Sequence, residues 1–229
     1  MSLSESIRQN FIEGDRWRYL ADGLKTTLFI TVFAVMLGMV LGFLVAIIRS
    51  TYLRTKKLLI PDLICRLYLT VIRGTPVVVQ LLIIYFVIFG SVQISKTLVA
   101  VIAFGVNSGA YVAEIVRGGI MSVDIGQLEA GRSLGLNYRQ TMIHIVMPQA
   151  VKNVLPALCN ECIVLLKETS VAGYIAINDL TRGGDIIRSI TFAPFLPLLA
   201  VALIYLIVVV VLTKLVGILE RRLAANDRR

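Results

Sequence analysis

The sequence predicts an all-α integral membrane chain with about five transmembrane helices, and three observations carry that expectation. Hydrophobic residues make up 57% of the chain and charged residues only 16%, whereas soluble domains hold roughly 45–50% apolar and about 25% charged residues. Long stretches carry no charge at all, the clearest running from Thr26 to Ile48. Basic residues gather between the apolar runs, the pattern by which lysine and arginine orient membrane helices. At about 20 residues per span plus connections, 229 residues have room for roughly five or six spans.

The net charge of +9 raises the question of a nucleic-acid partner. No basic face interleaved with aromatics occurs, so the charge reads as membrane topology and no nucleic acid is expected. Cys65, Cys159 and Cys162 lie in apolar segments, and an odd count gives no disulfide framework. The C-x-x-C of Cys159 and Cys162 reads as small packing residues. No cleavable signal peptide is expected, because the first apolar run is too long and follows a polar leader.

Residues 1–23 are polar and mixed in charge, with Phe11, Ile12, Trp17, Tyr19 and Leu20 interspersed. They predict an interfacial segment with an aromatic anchor. The charge-free run Thr26–Ile48 is about 35 Å long as a helix and spans a hydrocarbon core with some tilt. Gly38 and Gly42 form a G-x-x-x-G, a spacing that admits close helix approach but also arises often by chance.

The basic loop Arg49, Arg54, Lys56, Lys57 follows. Leu58–Ile72 carries Asp62 and Arg66, with Arg73 just after, on nearly one helical face. That stripe predicts a surface or partly buried helix leading into the second span. Arg73-Gly74-Thr75-Pro76 then breaks the helix, since proline lacks a donor and restricts its predecessor. The second span is expected over 77–92 and the third over 97–113, ending near Glu114 and Arg117.

A polar segment of about 121–150 separates the third span from a fourth apolar segment, 153–177, interrupted by Glu161, Lys167 and Glu168. A loop with Asp179, Arg182, Asp185 and Arg188 precedes a last span over 192–213, and a basic tail closes the chain. Five spans place the N-terminus outside and the C-terminus in the cytoplasm, with the 121–150 segment also inside. The expected organisation is a polar segment 1–23, a membrane domain 24–220 and a tail 221–229.

Within the inner segment, 127–148 reads as a helix ending at Gly135, a turn through Leu136 and Asn137, and a second helix leading to Pro148. Glycine and asparagine are the usual residues where a helix stops in the left-handed region. Leu128, Leu134, Met142, Ile143 and Ile145 place apolar surface on a cytosolic loop, which marks a protein–protein contact.

This loop resembles the "EAA" motif of ATP-binding-cassette importer permeases: E-A-A, three residues, G, nine residues, I-x-L-P. Here it is Glu129-Ala130-Gly131, then Gly135, then Ile145-Val146-Met147-Pro148, with both spacings kept. Gly131 replaces the third alanine and should weaken its helix by up to about 1 kcal/mol; Met147 replaces leucine. Arg73-Gly-Thr-Pro with Val79-Gln80-Leu81, the stretch Ser108–Gly119, and Leu165–Ser170 are similar to the permeases of polar amino-acid importers.

The resemblance implies a type I importer permease fold that pairs with a second permease, identical or related. Each loop docks on a separate ATPase subunit, and an extracytoplasmic amino-acid-binding protein delivers the solute. It also implies that Glu129, Ala130, Gly131, Gly135, Ile145 and Pro148 form the ATPase-coupling element. No phosphate-cradling G-x-x-x-x-G-K-[ST] loop occurs, so the chain is expected to be no enzyme, with no cofactor and no metal.

Charge within a span is costly and points to function. Glu161 with neighbouring Asn160 reads as a solute-binding wall, Glu161 being counter-ion to an amino or guanidinium group, or alternatively as a polar pair for packing. Asn160 and Lys167, like Glu161 and Glu168, are seven apart, two adjacent rows on one helix face. Asn107 shares a face with Tyr111 and Glu114 and is a candidate for lining the pathway; Glu114 and Arg117 read equally as a structural ion pair. Thr75 and Gln80 are candidates because the break at Pro76 frees backbone polar groups.

The expected function is ATP-driven import of a polar amino acid, with Glu161 pointing to a cationic one. The rival is a secondary transporter or channel subunit. Such proteins often carry matched discontinuous helices in two halves, and no matching pair is visible here.

Overall fold

A computed structural model describes residues 2–226, apart from the side chains of 54, 55 and 223–226. Arg228 and Arg229 of the expected basic tail, and the Arg54 side chain, lie outside the described residues. The described chain is helical and contains no strand. Among the described residues four helices are long and apolar enough to cross a membrane, and a pair bent by 114° makes a fifth when taken as one span.

A short helix α1 (Leu3–Ile7), opened by a Ser2/Glu5 capping box, runs into a π-helical turn at Arg8–Ile12. The first span, α2 (Trp17–Thr55), has 39 residues and is about 58 Å long. It outlasts the expected 26–48 at both ends. Charged side chains there do not stop the helix: Lys25 pairs with Asp22 three residues back at 2.9 Å. It ends where Lys56 and Leu58 adopt left-handed φ values of 57° and 66°.

The amphipathic α3 (Leu59–Gly74) follows, burying Asp62, Cys65 and Leu69 while exposing Leu63, Ile64 and Leu67. The expected break falls at Thr75–Pro76. Beyond it α4 (Val77–Ile83) continues as a π-helical turn to Ile88. The third span, α5 (Lys96–Met121), is capped by Ser95 and is the most buried of the set.

Packing centres on α2 against α5. A Cβ added at Gly42 would overlap the Val112 side chain and sit 2.9 Å from the Gly109 carbonyl. One at Gly38 would sit 2.9 Å from Ser108 Cβ, and one at Gly105 2.7 Å from the Leu37 side chain. The G-x-x-x-G of α2 therefore meets a second one, Gly105/Gly109, and the two helices run parallel, with residue numbers rising together. Close backbone approach replaces the hydrophobic driving force that lipid removes. Ile30, Ala34, Leu81, Phe104 and Leu165 close the main core.

The 121–150 segment comprises α6 (Ile125–Ser133) and α7 (Tyr138–Thr141), then a π-helical turn over Met142–Val146 and α8 (Met147–Glu168). From Tyr138 to Ile175 the helix is continuous over 38 residues. The expected fourth span is thus the upper part of a longer rod, and Pro148 does not end the second loop helix. It stands inside that rod, just after the π-helical turn at Met142–Val146.

The expected polar loop at 179–188 is a helix instead, α9 (Leu180–Thr191), amphipathic and packed against the first turns of α2 and against α10. Its glycines serve contact rather than turning: Gly183 abuts the Tyr19 carbonyl, and Gly184 abuts Val201. Asp179 caps it, accepting from the Thr181 and Arg182 amides at 3.1 and 3.2 Å. Burial holds the Asp179 carboxyl above its ordinary range, opposed by those amides. The Thr191 hydroxyl donates to Asn10 at 2.8 Å, tying the N-terminal segment to α9. The last span, α10 (Phe195–Asn226), starts later than expected because Phe192 is left-handed (φ 54°) and Pro194 follows.

Candidate functional site

Two assemblies hold the residues singled out by sequence. The first is the helical hairpin at the loop end. Helix α6 closes with a Schellman motif: Leu136 N–H donates to the Gly131 carbonyl at 3.1 Å and Gly135 N–H to Arg132 at 3.0 Å. Gly135 carries the positive φ of 84° that the motif needs. Asn137 then starts α7 with a capping box, accepting from Gln140 N–H at 3.0 Å while Gln140 Oε1 accepts from Asn137 N–H at 2.9 Å.

The hairpin closes on Gly131. Thr141 is fully buried against it, and a Cβ at Gly131 would overlap the Thr141 methyl and sit 3.0 Å from Ile145 Cδ1. Glycine at this position is therefore a fit to Thr141 and not merely a weaker helix former. Glu129, Ala130, Gly135 and Pro148 are exposed on the hairpin, and Ile145 is half-buried. Around them Ile125, Leu134 and Ile143 are open to solvent, Leu134 at 79% exposure. His144 is exposed as well.

The second assembly lies at the broken span. Proline at position 76 has no N–H to offer the Ile72 carbonyl four residues earlier. Gln80 Nε2 takes that place, donating to Ile72 O at 2.8 Å and to Thr75 O and Oγ1 at 3.0 and 2.9 Å. Its Oε1 accepts from Asn107 Nδ2 at 2.9 Å. Three of the five solute candidates, Thr75, Gln80 and Asn107, thus form one network. The amide of Gln80 is fully spent on protein groups, while buried Asn107 Oδ1 has no partner among the described residues.

Glu161 lies on α8 in contact with the same stretch of α5. Ser108, next to Asn107, donates its hydroxyl to Glu161 Oε1 at 2.9 Å, and both residues are buried. Ser108 stands within the stretch quoted for its resemblance, yet nothing in its local sequence marks it as the partner of a buried carboxylate. The two rows expected on one face of α8 separate: Glu161 points inward, and Asn160 and Lys167 are exposed. Glu114 is an ion-pair centre, 2.8 Å from Arg117 and 3.5 Å from Arg73. Among the described residues no group of histidine, cysteine and acidic side chains is arranged to hold a metal.

Residues 38–225 match the family described as binding-protein-dependent transport system inner membrane component. The chain is 37% identical over 212 residues to the arginine transport system permease protein ArtQ of Bacillus subtilis, covering 91% of this chain and 94% of that one. It is 38% identical over 207 residues to the glutamine transport system permease protein GlnP of Escherichia coli, covering 89% and 92%. A crystal structure of an amino acid ABC transporter with histidines superposes with a TM-score of 0.82 at 42% identity, covering 90% of this chain and 94% of that one. The inward-facing methionine ABC transporter MetNI shares the fold at a TM-score of 0.73 and 18% identity, covering 90% and 97%. With most of its length matched and its relatives covered almost end to end, the chain belongs to the binding-protein-dependent transport system inner membrane components, as an inner-membrane permease subunit of an ABC importer whose ATPase is a separate polypeptide.

Proposed function

We propose that this permease imports a cationic amino acid and that the 125–147 hairpin couples it to the ATPase. The observation that carries the solute reading is the buried carboxylate of Glu161, held by one neutral hydroxyl at 2.9 Å. A carboxylate inside a span asks for a compensating positive group, and an ammonium or guanidinium group supplies it. On α5, buried Asn107 Oδ1 adds an acceptor with no partner among the described residues. The arginine relative supports this class, and the solved amino acid transporter accords with it. A neutral amide solute is the second reading, favoured by the relative named for glutamine.

The coupling reading rests on the hairpin's pattern and surface. Glu129, Ala130, Gly131, Gly135, Ile145 and Pro148 keep the spacing of the EAA motif, and exposed Ile125, Leu134 and Ile143 give an ATPase groove apolar surface to bury. In this reading the hairpin faces the cytoplasm, the N-terminus lies outside, residues 24–220 form the membrane domain, and 1–23 and 221–229 flank it. A second permease completes the pathway, and an external binding protein delivers the amino acid.

The test is reconstitution of the permease with its ATPase in liposomes, with binding protein and a panel of amino acids. Stimulation by arginine, lysine or histidine that Glu161→Gln abolishes supports the cationic reading. Equal stimulation of wild type and variant by cationic solutes ends it, and stimulation by glutamine alone selects the second reading. Loss of ATPase co-purification on Leu134→Asp tests the hairpin separately.

A further inference from the structure

We infer that the arginine cleft at the loop end of α2, α3 and α5 is a binding site for an anionic phospholipid. A cleft of about 520 Å³ is lined by Arg49, Arg66, Arg73, Thr70, Gly74 and Glu114. Three guanidinium groups face one carboxylate there, so the lining carries a positive excess. The carboxylate is already engaged, by Arg117 at 2.8 Å and Arg73 at 3.5 Å. Arg66 spends one edge on buried Asp62 at 2.7 Å and lies over the Tyr52 ring at 5.5 Å, a ring that Lys56 also approaches at 5.4 Å. The buried Nε of Arg49 has no hydrogen-bond partner among the described residues.

An unpaired buried guanidinium N–H is costly, and guanidinium groups match phosphate oxygens bidentately. What separates a lipid headgroup from a free phosphate is the surface beside the cleft. Helix α3, which supplies Arg66 and Arg73, turns Ile60, Leu63, Ile64 and Leu67 outward, each more than 60% exposed. Acyl chains laid along that row while the phosphate enters the cleft satisfy both surfaces with one molecule. The positive cluster at the end of a span is also where anionic headgroups concentrate.

Native mass spectrometry of the purified permease in detergent, titrated with phosphatidylglycerol or phosphatidylcholine, tests the assignment. The expected result is about tenfold greater retention of phosphatidylglycerol, lost in Arg49→Gln/Arg66→Gln and largely kept in Arg49→Lys/Arg66→Lys. Thr70→Glu puts a negative charge into the cleft without removing any arginine and should abolish the preference too. Equal retention of the two lipids, or an unchanged preference in both the glutamine and the Thr70→Glu variants, overturns the site. Inorganic phosphate in about thousandfold excess over lipid should leave the lipid bound; its displacement would assign the cleft to a soluble anion instead.

Discussion

The hydroxyl of Ser108 on α5 donates to Glu161 Oε1 on α8 at 2.9 Å, so the buried acid of the fourth span is held by the residue next to Asn107. Removing the donor leaves a buried carboxylate oxygen unpaired, at a cost of about 1–3 kcal/mol. Ser108→Ala should therefore lower the thermal unfolding temperature in detergent. Glu161→Gln keeps an acceptor for Ser108 and should leave that temperature almost unchanged while altering solute response. Equal losses in the two variants would show that the bond does not hold the acid.

Gln80 fills the donor vacancy that Pro76 creates. Gln80→Glu keeps the shape and the acceptor for Asn107 but, when ionised, has no donor for Ile72 and Thr75. It should destabilise the chain by about 1–3 kcal/mol, read as a shift in the thermal transition. Gln80→Asn, too short to reach the same carbonyls, should lose as much. A neutral result in both would mean that water serves the broken span.

Gly131 and Thr141 predict a compensation. Gly131→Ala overfills the hairpin, with a loss of about 1–3 kcal/mol, and should weaken co-purification of the ATPase. Thr141→Ala in the same chain removes the methyl in the way and should restore it. If the double variant is no better than Gly131→Ala, the crossing is not what selects glycine.

Gly42 and Val112 make the same argument inside the membrane. Gly42→Ala should destabilise by about 1–3 kcal/mol, and Gly42→Ala/Val112→Gly, which also removes the Val112 Cβ lying 2.5 Å from the added methyl, should recover part of it. Additive losses measured by unfolding in detergent would refute a direct contact.

Asp179 gives a pH dependence with a defined sign. Its carboxyl is raised in the folded chain by burial, so the folded state binds the proton more tightly than the unfolded one. Stability should therefore fall as pH rises from the unfolded value of about 3.8 through the raised folded value, and level off beyond it. Asp179→Asn keeps the cap and should flatten that slope, whereas Asp179→Ala should lose about 1 kcal/mol of capping at any pH. Thermal scans across the acid range distinguish the three proteins.

The parts of the fold written in local signals were legible from sequence. Charge-free runs revealed the spans, Pro76 marked the break, and Gly135 followed by Asn137 punctuated the hairpin where the Schellman motif and capping box stand. What was hidden depends on which helix meets which. Gly38 and Gly42 gave no sign that Gly105 and Gly109 would face them. The Gly183-Gly184 pair lies in a stretch expected to be a loop but serves close contact with α2 and α10. Ser108 is unremarkable until α8 is laid beside α5, and flanking charges disguised how far α2 continues.

The helix from Tyr138 to Ile175 has no break between the exposed hairpin and Glu161. Any protein that grips the Tyr138 end therefore holds the same driveshaft that carries the buried acid, about 35 Å away along its axis. A twist applied at one end reaches the other directly, and the π-helical turn at Met142–Val146 and Pro156 are the points where the shaft can yield. Stiffening or loosening the shaft at Pro156 changes how much of a push at the rim arrives at the acid, without altering a group that the ATPase would touch.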